Sequence, residues 1–196
     1  MIIIKGRDFN MKFTKFLFEY IKSPRNVGAI APSSEKLAEK MVEGIDFQNA
    51  KCIVEYGPGT GVFTDKLVKR KTKDLLLILV ESNKEFCKQL QDKYNENDNV
   101  IIINDSAENI DQYLVKYDIK KVDYVVSGLP FASLPKSVSN KILKKTGTIL
   151  KKNGLFITFQ YTLLKKEYIA GYFKDISLEK VLFNMPPAYV LKCYNT

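Results

Sequence analysis

The sequence predicts an α/β fold: a mostly parallel seven-stranded sheet with an antiparallel C-terminal hairpin and helices on both faces. Three observations carry this. From Lys51 to Gln160, apolar runs of strand length alternate with segments of helical period. Leu75 to Val80 is apolar without a break, as expected of a strand buried on both faces. Glu179 to Asn184 and Ala188 to Asn195 flank a Pro186-Pro187 turn, which supplies the hairpin. With 196 residues, 45% of them hydrophobic, and no repeat or linker, a single domain over 1–196 is expected. Residues 33–196 would form its core, and 1–32 a helix and loop covering the cleft.

In chain order, Phe9 to Lys22 is an amphipathic helix. Phe9, Phe13, Phe16, Leu17, Tyr20 and Ile21 share one face, with Lys12, Lys15, Glu19 and Lys22 opposite. It either packs on the protein's own core or lies in a membrane interface, aromatics inserted and lysines near acidic headgroups. Ser23 to Ser34 reads as a loop, and Ser33 or Ser34 can cap a helix that runs to about Glu43 and stops at Gly44. The first strand, Lys51 to Tyr56, ends in the loop Gly57-Pro58-Gly59-Thr60-Gly61, which opens a helix from Val62 to about Lys71. Leu75–Val80, Val100–Asn104, Val122–Ser127 and Gly154–Gln160 are the next four strands. Helices are expected at Lys84–Tyr94, from near Glu108 to Tyr117, and from Lys136 to about Lys151.

Glycines at alternate positions let the loop turn sharply and let a ligand approach its backbone, and the N–H groups of the following helix favour acceptor atoms. A nucleotide-like ligand is implied, or else a tight strand-to-helix turn and nothing more. The pattern Glu55-x-Gly57-x-Gly59-x-Gly61 resembles the first motif of S-adenosylmethionine-dependent methyltransferases. The fold the resemblance implies is the Rossmann-like methyltransferase sandwich, and the cofactor is S-adenosylmethionine. Glu81 closes the second strand 20 residues after Gly61, where such sheets place an acid for ribose hydroxyls, with Ser82 beside it. Asp105-Ser106-Ala107 ends the third strand, where the resemblance puts an acid for the adenine amino group; Asp105 could instead cap the next helix. Glu55 would hold the methionine end, and Gly57, Pro58, Gly59 and Gly61 would line the donor's path.

A second site is expected in Ser127-Gly128-Leu129-Pro130-Phe131, at the end of the fourth strand and next to the topological switch point. Pro130 biases Leu129 toward an extended conformation, so the Gly128 and Leu129 carbonyls can accept hydrogen bonds from an amine. Phe131 could pack on the substrate or on the methyl donor. Ribosomal RNA adenine N6-methyltransferases carry Asn-Leu-Pro-Tyr or Asn-Leu-Pro-Phe here, and this sequence has Gly128 in place of the Asn. The stretch Ser127 to Pro135, with Val27 to Ser34, is instead similar to bacterial phospholipid N-methyltransferases, which methylate phosphatidylethanolamine. The RNA dimethylases usually add a helical C-terminal domain, whereas this chain stops at Thr196, just after the last expected strand.

Composition bounds the chemistry. The 31 Lys plus Arg against 22 Asp plus Glu give +9, which suits an anionic membrane surface, a phospholipid or, as the runner-up, RNA. Lysines at helix C-termini, including Lys69, Lys71, Lys151 and Lys152, answer to the helix dipole, so the total overstates the attraction at the cleft. No histidine occurs, which excludes histidine bases and ligands, and no metal is expected. Cys52, Cys87 and Cys193 read as buried free thiols in a reducing cytosol, and no run is long enough to span a membrane. A cytoplasmic enzyme, peripheral on the inner face of the membrane, is the expected setting.

The expected reaction is direct methyl transfer to a nitrogen, first that of the phosphatidylethanolamine headgroup, with adenine N6 of ribosomal RNA as one alternative and a small-molecule acceptor, or a donor-binding module without catalysis, as the other. An ammonium with a pKa near that of lysine costs about 4 to 5 kcal/mol to deprotonate at pH 7. Tyr161, Tyr20 or the lipid's own phosphate could take that proton. An adenine amine needs no such step.

Overall fold

The central strands bury side chains on both faces, and that fixes the layering of the computed structural model, which describes residues 33–182 and 187–195. Helix α1 (Ser33–Val42) leads to β1 (Cys52–Tyr56), α2 (Val62–Arg70), β2 (Leu76–Val80), α3 (Lys84–Tyr94) and β3 (Val100–Ile103). A 3-10 turn at Ala107–Asn109 opens α4 (Ile110–Lys116), followed by β4 (Val122–Ser127), α5 (Lys136–Ile149) and β5 (Leu150–Gln160). A second 3-10 turn, Leu163–Lys165, precedes α6 (Lys166–Ala170), β6 (Asp175–Val181) and β7 (Ala188–Tyr194). The expected helix Phe9–Lys22, with Tyr20, and the loop before α1 lie outside the described residues.

The sheet order is β3-β2-β1-β4-β5-β7-β6. The pairs from β3 through β5 are parallel, and β7 runs antiparallel to both β5 and β6. This is the predicted fold. Alternation along β1 sends Cys52, Val54 and Tyr56 to the face covered by α4, α5 and α6, and Ile53 to the face of α1, α2 and α3. The order reverses between β1 and β4, so their carboxyl ends, Tyr56 opposite Ser127, open the crevice where ligands bind in such sheets.

Two boundaries differ from the sequence reading. Helix α5 stops at Ile149 and β5 begins at Leu150 rather than Gly154, because Leu150 pairs with Val122 before the register shifts and Asn153 turns through a φ of 63°. Strand β6 starts at Asp175 rather than Glu179 and ends at Val181, paired with β7 along its whole length. The 3-10 turn at Leu163 and helix α6 have no counterpart in the sequence reading, since five helical residues are too few to establish a period.

Candidate active site

The loop after β1 uses its glycines for different ends. Gly57, Gly59 and Gly61 have φ of 62°, 57° and 86°, the left-handed region that disfavours any side chain. A Cβ on Gly57 would lie 2.7 Å from Leu129 Cδ2, and one on Gly61 would lie 2.7 Å from Tyr94 Oη. A Cβ on Gly59 would meet nothing within 4 Å. Two glycines therefore admit neighbouring protein, and Gly59 alone of the three faces open space. The Gly57 N–H donates to the Val80 carbonyl (2.9 Å), which ties the loop to the end of β2.

Three acids stand at the ends of β1, β2 and β3. Glu55 is fully buried. Its Oε2 accepts from Thr64 Oγ1 at 2.8 Å, and its Oε1 has no partner among the described residues. Burial pushes its carboxyl up to about 8, against the smaller opposing effect of the Thr64 bond. Glu81 accepts from the Gly59 N–H (3.0 Å) and the Asn83 N–H (2.8 Å), and burial raises its carboxyl too. Asp105 accepts from Tyr113 Oη (2.8 Å), the Ser106 N–H (2.6 Å) and Asn109 Nδ2 (3.0 Å), with the Tyr113 bond doing most to hold it below the usual range. Ser106, not Asp105, caps the following turn, its Oγ accepting from the Glu108 N–H at 3.2 Å. Ser82 is exposed and Ala107 packs into the core.

Sequence reasoning missed Thr64, Tyr94 and Tyr113. Thr64 had a signal: it shares the buried face of α2 with Leu67, three residues on, where an unpaired hydroxyl would be costly. Tyr94, whose hydroxyl lies 2.8 Å from Asp65 Oδ1, and Tyr113 follow no spacing rule.

The β4 loop lies against the glycine loop. The Gly128 N–H donates to the Tyr56 carbonyl at 2.8 Å, and a Cβ on Gly128 would stand 2.6 Å from the Gly57 carbonyl oxygen. Buried Ser127 accepts from the Leu129 N–H through Oγ at 3.2 Å. The Leu129 carbonyl accepts from the Phe131 N–H at 3.0 Å, and the Pro130 carbonyl from Ser133 and Leu134. Phe131 does not face the cleft. Its ring is 1% exposed and edge-on to Phe156 at 6.0 Å, because an apolar ring gains more from the core beneath β5 than from solvent. Tyr161 is half-buried and edge-on to Phe159 at 5.3 Å; Phe159 in turn meets Phe63, just after Gly61, at 5.8 Å.

Residues 32–170 match the ribosomal RNA adenine dimethylase family. The chain belongs to that family. It is an S-adenosylmethionine-dependent methyltransferase. It is 28% identical over 183 residues to an ornithine lipid N-methyltransferase of Singulisphaera acidiphila, covering 92% of this chain and 95% of that protein. It is 30% identical over 127 residues to the ribosomal RNA small subunit methyltransferase A of Mycoplasma capricolum, covering 64% of this chain and 44% of that one. The chain thus spans less than half of that RNA enzyme. Among solved structures, an rRNA methylase from Streptococcus thermophilus superposes with a TM-score of 0.62 at 17% identity, over 86% of this chain and all of the other. The T. thermophilus 16S rRNA N2 G1207 methyltransferase, in complex with AdoMet and guanosine, gives 0.64 at 20% identity, over 87% and 44%. Both share the fold. Among the described residues no cluster of His, Cys, Asp or Glu is placed to hold a metal ion, and no helix is long and apolar enough to cross a membrane.

Proposed function

We propose that this enzyme methylates the amine of an aminolipid headgroup, phosphatidylethanolamine or an ornithine lipid, at the membrane surface. The observation that carries this reading is Gly128. The Gly57 carbonyl, 2.6 Å from where a Cβ would stand, leaves no room for a side chain, so an acceptor amine here meets backbone carbonyl and no amide. A primary ammonium needs only acceptors, whereas the Asn of the RNA enzymes offers a planar adenine edge both a donor and an acceptor. The likeness to a lipid N-methyltransferase across nearly that protein's whole length supports the same choice.

The site fits the donor. The unpartnered buried oxygen of Glu55 suits the ammonium of its methionine end, and the open space over Gly59 admits its passage along the loop backbone. Glu81 and Asp105, each with lone pairs beyond those its neighbours occupy, would take ribose hydroxyls and the adenine amine. When bound, S-adenosylmethionine supplies a methyl group on a sulfonium. The Gly128 carbonyl would orient the acceptor nitrogen, its lone pair free, toward that methyl group. Alignment in a cleft is the protein's main contribution. The proton lost by the amine would pass to the phosphate of phosphatidylethanolamine or the carboxylate of an ornithine lipid, or be relayed to solvent by Tyr161, whose hydroxyl would accept one proton as it gives up its own.

A second reading, methylation of adenine N6 in ribosomal RNA, is favoured by the family match and by the Mycoplasma relative. Methyl-labelled donor offered to vesicles containing phosphatidylethanolamine or ornithine lipid, and separately to ribosomal RNA, decides between them. Label in lipid is expected, and label in RNA alone overturns the proposal.

A further inference from the structure

Past the end of β5 the chain turns its apolar side chains outward. Leu164 is 80% exposed and Leu163 is 41% exposed, and Lys165 and Lys166 follow directly. This turn is firmly built. Thr162 Oγ1 accepts from the Leu164 N–H at 3.1 Å, Ile169 anchors α6 in the core, and the hydroxyls of Tyr168 and Tyr172 both reach Asn140 Oδ1 on α5, at 2.5 and 2.8 Å. Exposure of the leucines is thus held in place by a cap and a clamp.

Its position gives the turn meaning. Strands β5 and β6 are both antiparallel to β7, so they leave the sheet at one edge, Gln160 opposite Tyr189 and Val181 opposite Ala188. Leu182, 63% exposed, therefore stands beyond the same edge as Leu163 and Leu164. That edge also carries the Gly57 and Gly128 loops, since β5 runs parallel to β4 and β4 to β1. Scattered exposed leucines need no explanation, but these three stand beyond the same end of the sheet as the ligand crevice, and two of them run directly into two lysines. Lys165 lies over the Tyr168 ring at 5.1 Å, and Lys166 is only loosely paired with the exposed Glu167, at 3.5 Å.

We propose that Leu163, Leu164 and Leu182, with Lys165 and Lys166, form the surface on which the enzyme sits on an anionic bilayer. The leucines enter the acyl boundary and the lysines lie among acidic headgroups, so an acceptor lipid reaches the crevice without leaving the membrane. Leucine adds nothing to phosphate-backbone binding, which favours a bilayer over RNA as the occupant. The proposal rests on the aminolipid reading for its purpose, but its test stands apart from it.

The sequence contains no tryptophan, so Leu164→Trp in the full chain gives a single reporter. On vesicles of phosphatidylglycerol and phosphatidylethanolamine its emission should shift to the blue and be quenched by brominated acyl chains. Leu164→Asp should bind those vesicles about tenfold more weakly than the unmodified chain, with unchanged thermal stability and unchanged methyl transfer to a short-chain, water-dispersed aminolipid. No emission shift, or vesicle binding unaltered in Leu164→Asp, overturns the docking surface. A fall in thermal stability with unaltered vesicle binding also overturns it, since the leucines would then be covered by the chain itself. So does an emission change with ribosomal RNA and none with vesicles. If no aminolipid is methylated in either form, the functional reading fails, while the emission shift still judges the surface.

Discussion

Glu55 is where a single residue has the most to report. Its carboxyl stands at about 8 in the folded protein against an ordinary 4.5, so between those values the folded state keeps a proton that the unfolded chain releases. The stabilising contribution is therefore full below about pH 4.5 and is lost as pH rises through about 8. Melting temperatures of the donor-free protein should fall across that window, and Glu55→Gln should flatten the slope; an identical slope would show that Glu55 titrates elsewhere. The donor's ammonium favours the carboxylate, so donor binding should release a proton from Glu55, measurable by calorimetry in buffers of different ionisation enthalpy. Gly59 and Gly61 offer a paired contrast. Alanine at either strains a left-handed backbone by about 1 to 2 kcal/mol, but only Gly61→Ala also drives a methyl group onto Tyr94 Oη. Chemical denaturation should show the larger stability loss in Gly61→Ala, and titration with donor the larger affinity loss in Gly59→Ala. Glu81→Ala should abolish donor binding in the same titration, since it removes the group that steadies both the Gly59 and the Asn83 N–H as well as an acceptor for the ribose.

At the scale of elements, the loops after β1 and β4 behave as one unit, because Gly128 and Gly57 approach through backbone alone. Gly128→Ala should separate them. An overpacking cost of about 1 to 3 kcal/mol is expected in denaturation, and donor affinity should fall although the change lies in the acceptor loop. Elements β1 to β4 were legible in the sequence because short runs rich in β-branched and other apolar residues, bounded by turn residues, are too brief for helices, and the acids at their ends were legible through order alone. The start of β5 was not, because Lys151-Lys152-Asn153 reads as the polar end of a helix while in space it follows a residue already paired with Val122. Edge strand β6 was half-legible, since Asp175, Ser177 and Glu179 interrupt its apolar positions and even Leu178 is exposed. In the site, side chains that reach back from a later helix, such as Tyr94 to Asp65 and Tyr113 to Asp105, are set by packing and not by spacing. Phe131 shows the opposite case, an aromatic whose place in a motif suggested a ligand contact and whose ring went to the core.

Over the whole molecule, ion pairing leaves the net charge of +9 intact, because each pair takes up one charge of either sign, but it fixes which lysines are already engaged. Lys66 binds Glu35 and Glu39, Lys93 binds Asp65, Lys145 binds Asp111, Lys151 binds Asp123, and Lys192 binds Glu179. Lys71 and Lys121 donate to the carbonyls of Asp98 and Thr148. A docking surface of leucines with two lysines should therefore depend weakly on salt. Vesicle affinity should fall by less than about tenfold between roughly 50 and 200 mM salt, whereas a nucleic-acid binder making several phosphate contacts would lose about a thousandfold or more. Sedimentation across that range checks it. The contact between Gly57 and Gly128 has one more consequence. Coupling carried between the donor and acceptor loops across this boundary is reciprocal: whatever factor the donor contributes to acceptor affinity, the acceptor must return to the donor, so a dead-end acceptor analogue should alter the donor dissociation constant by that same factor.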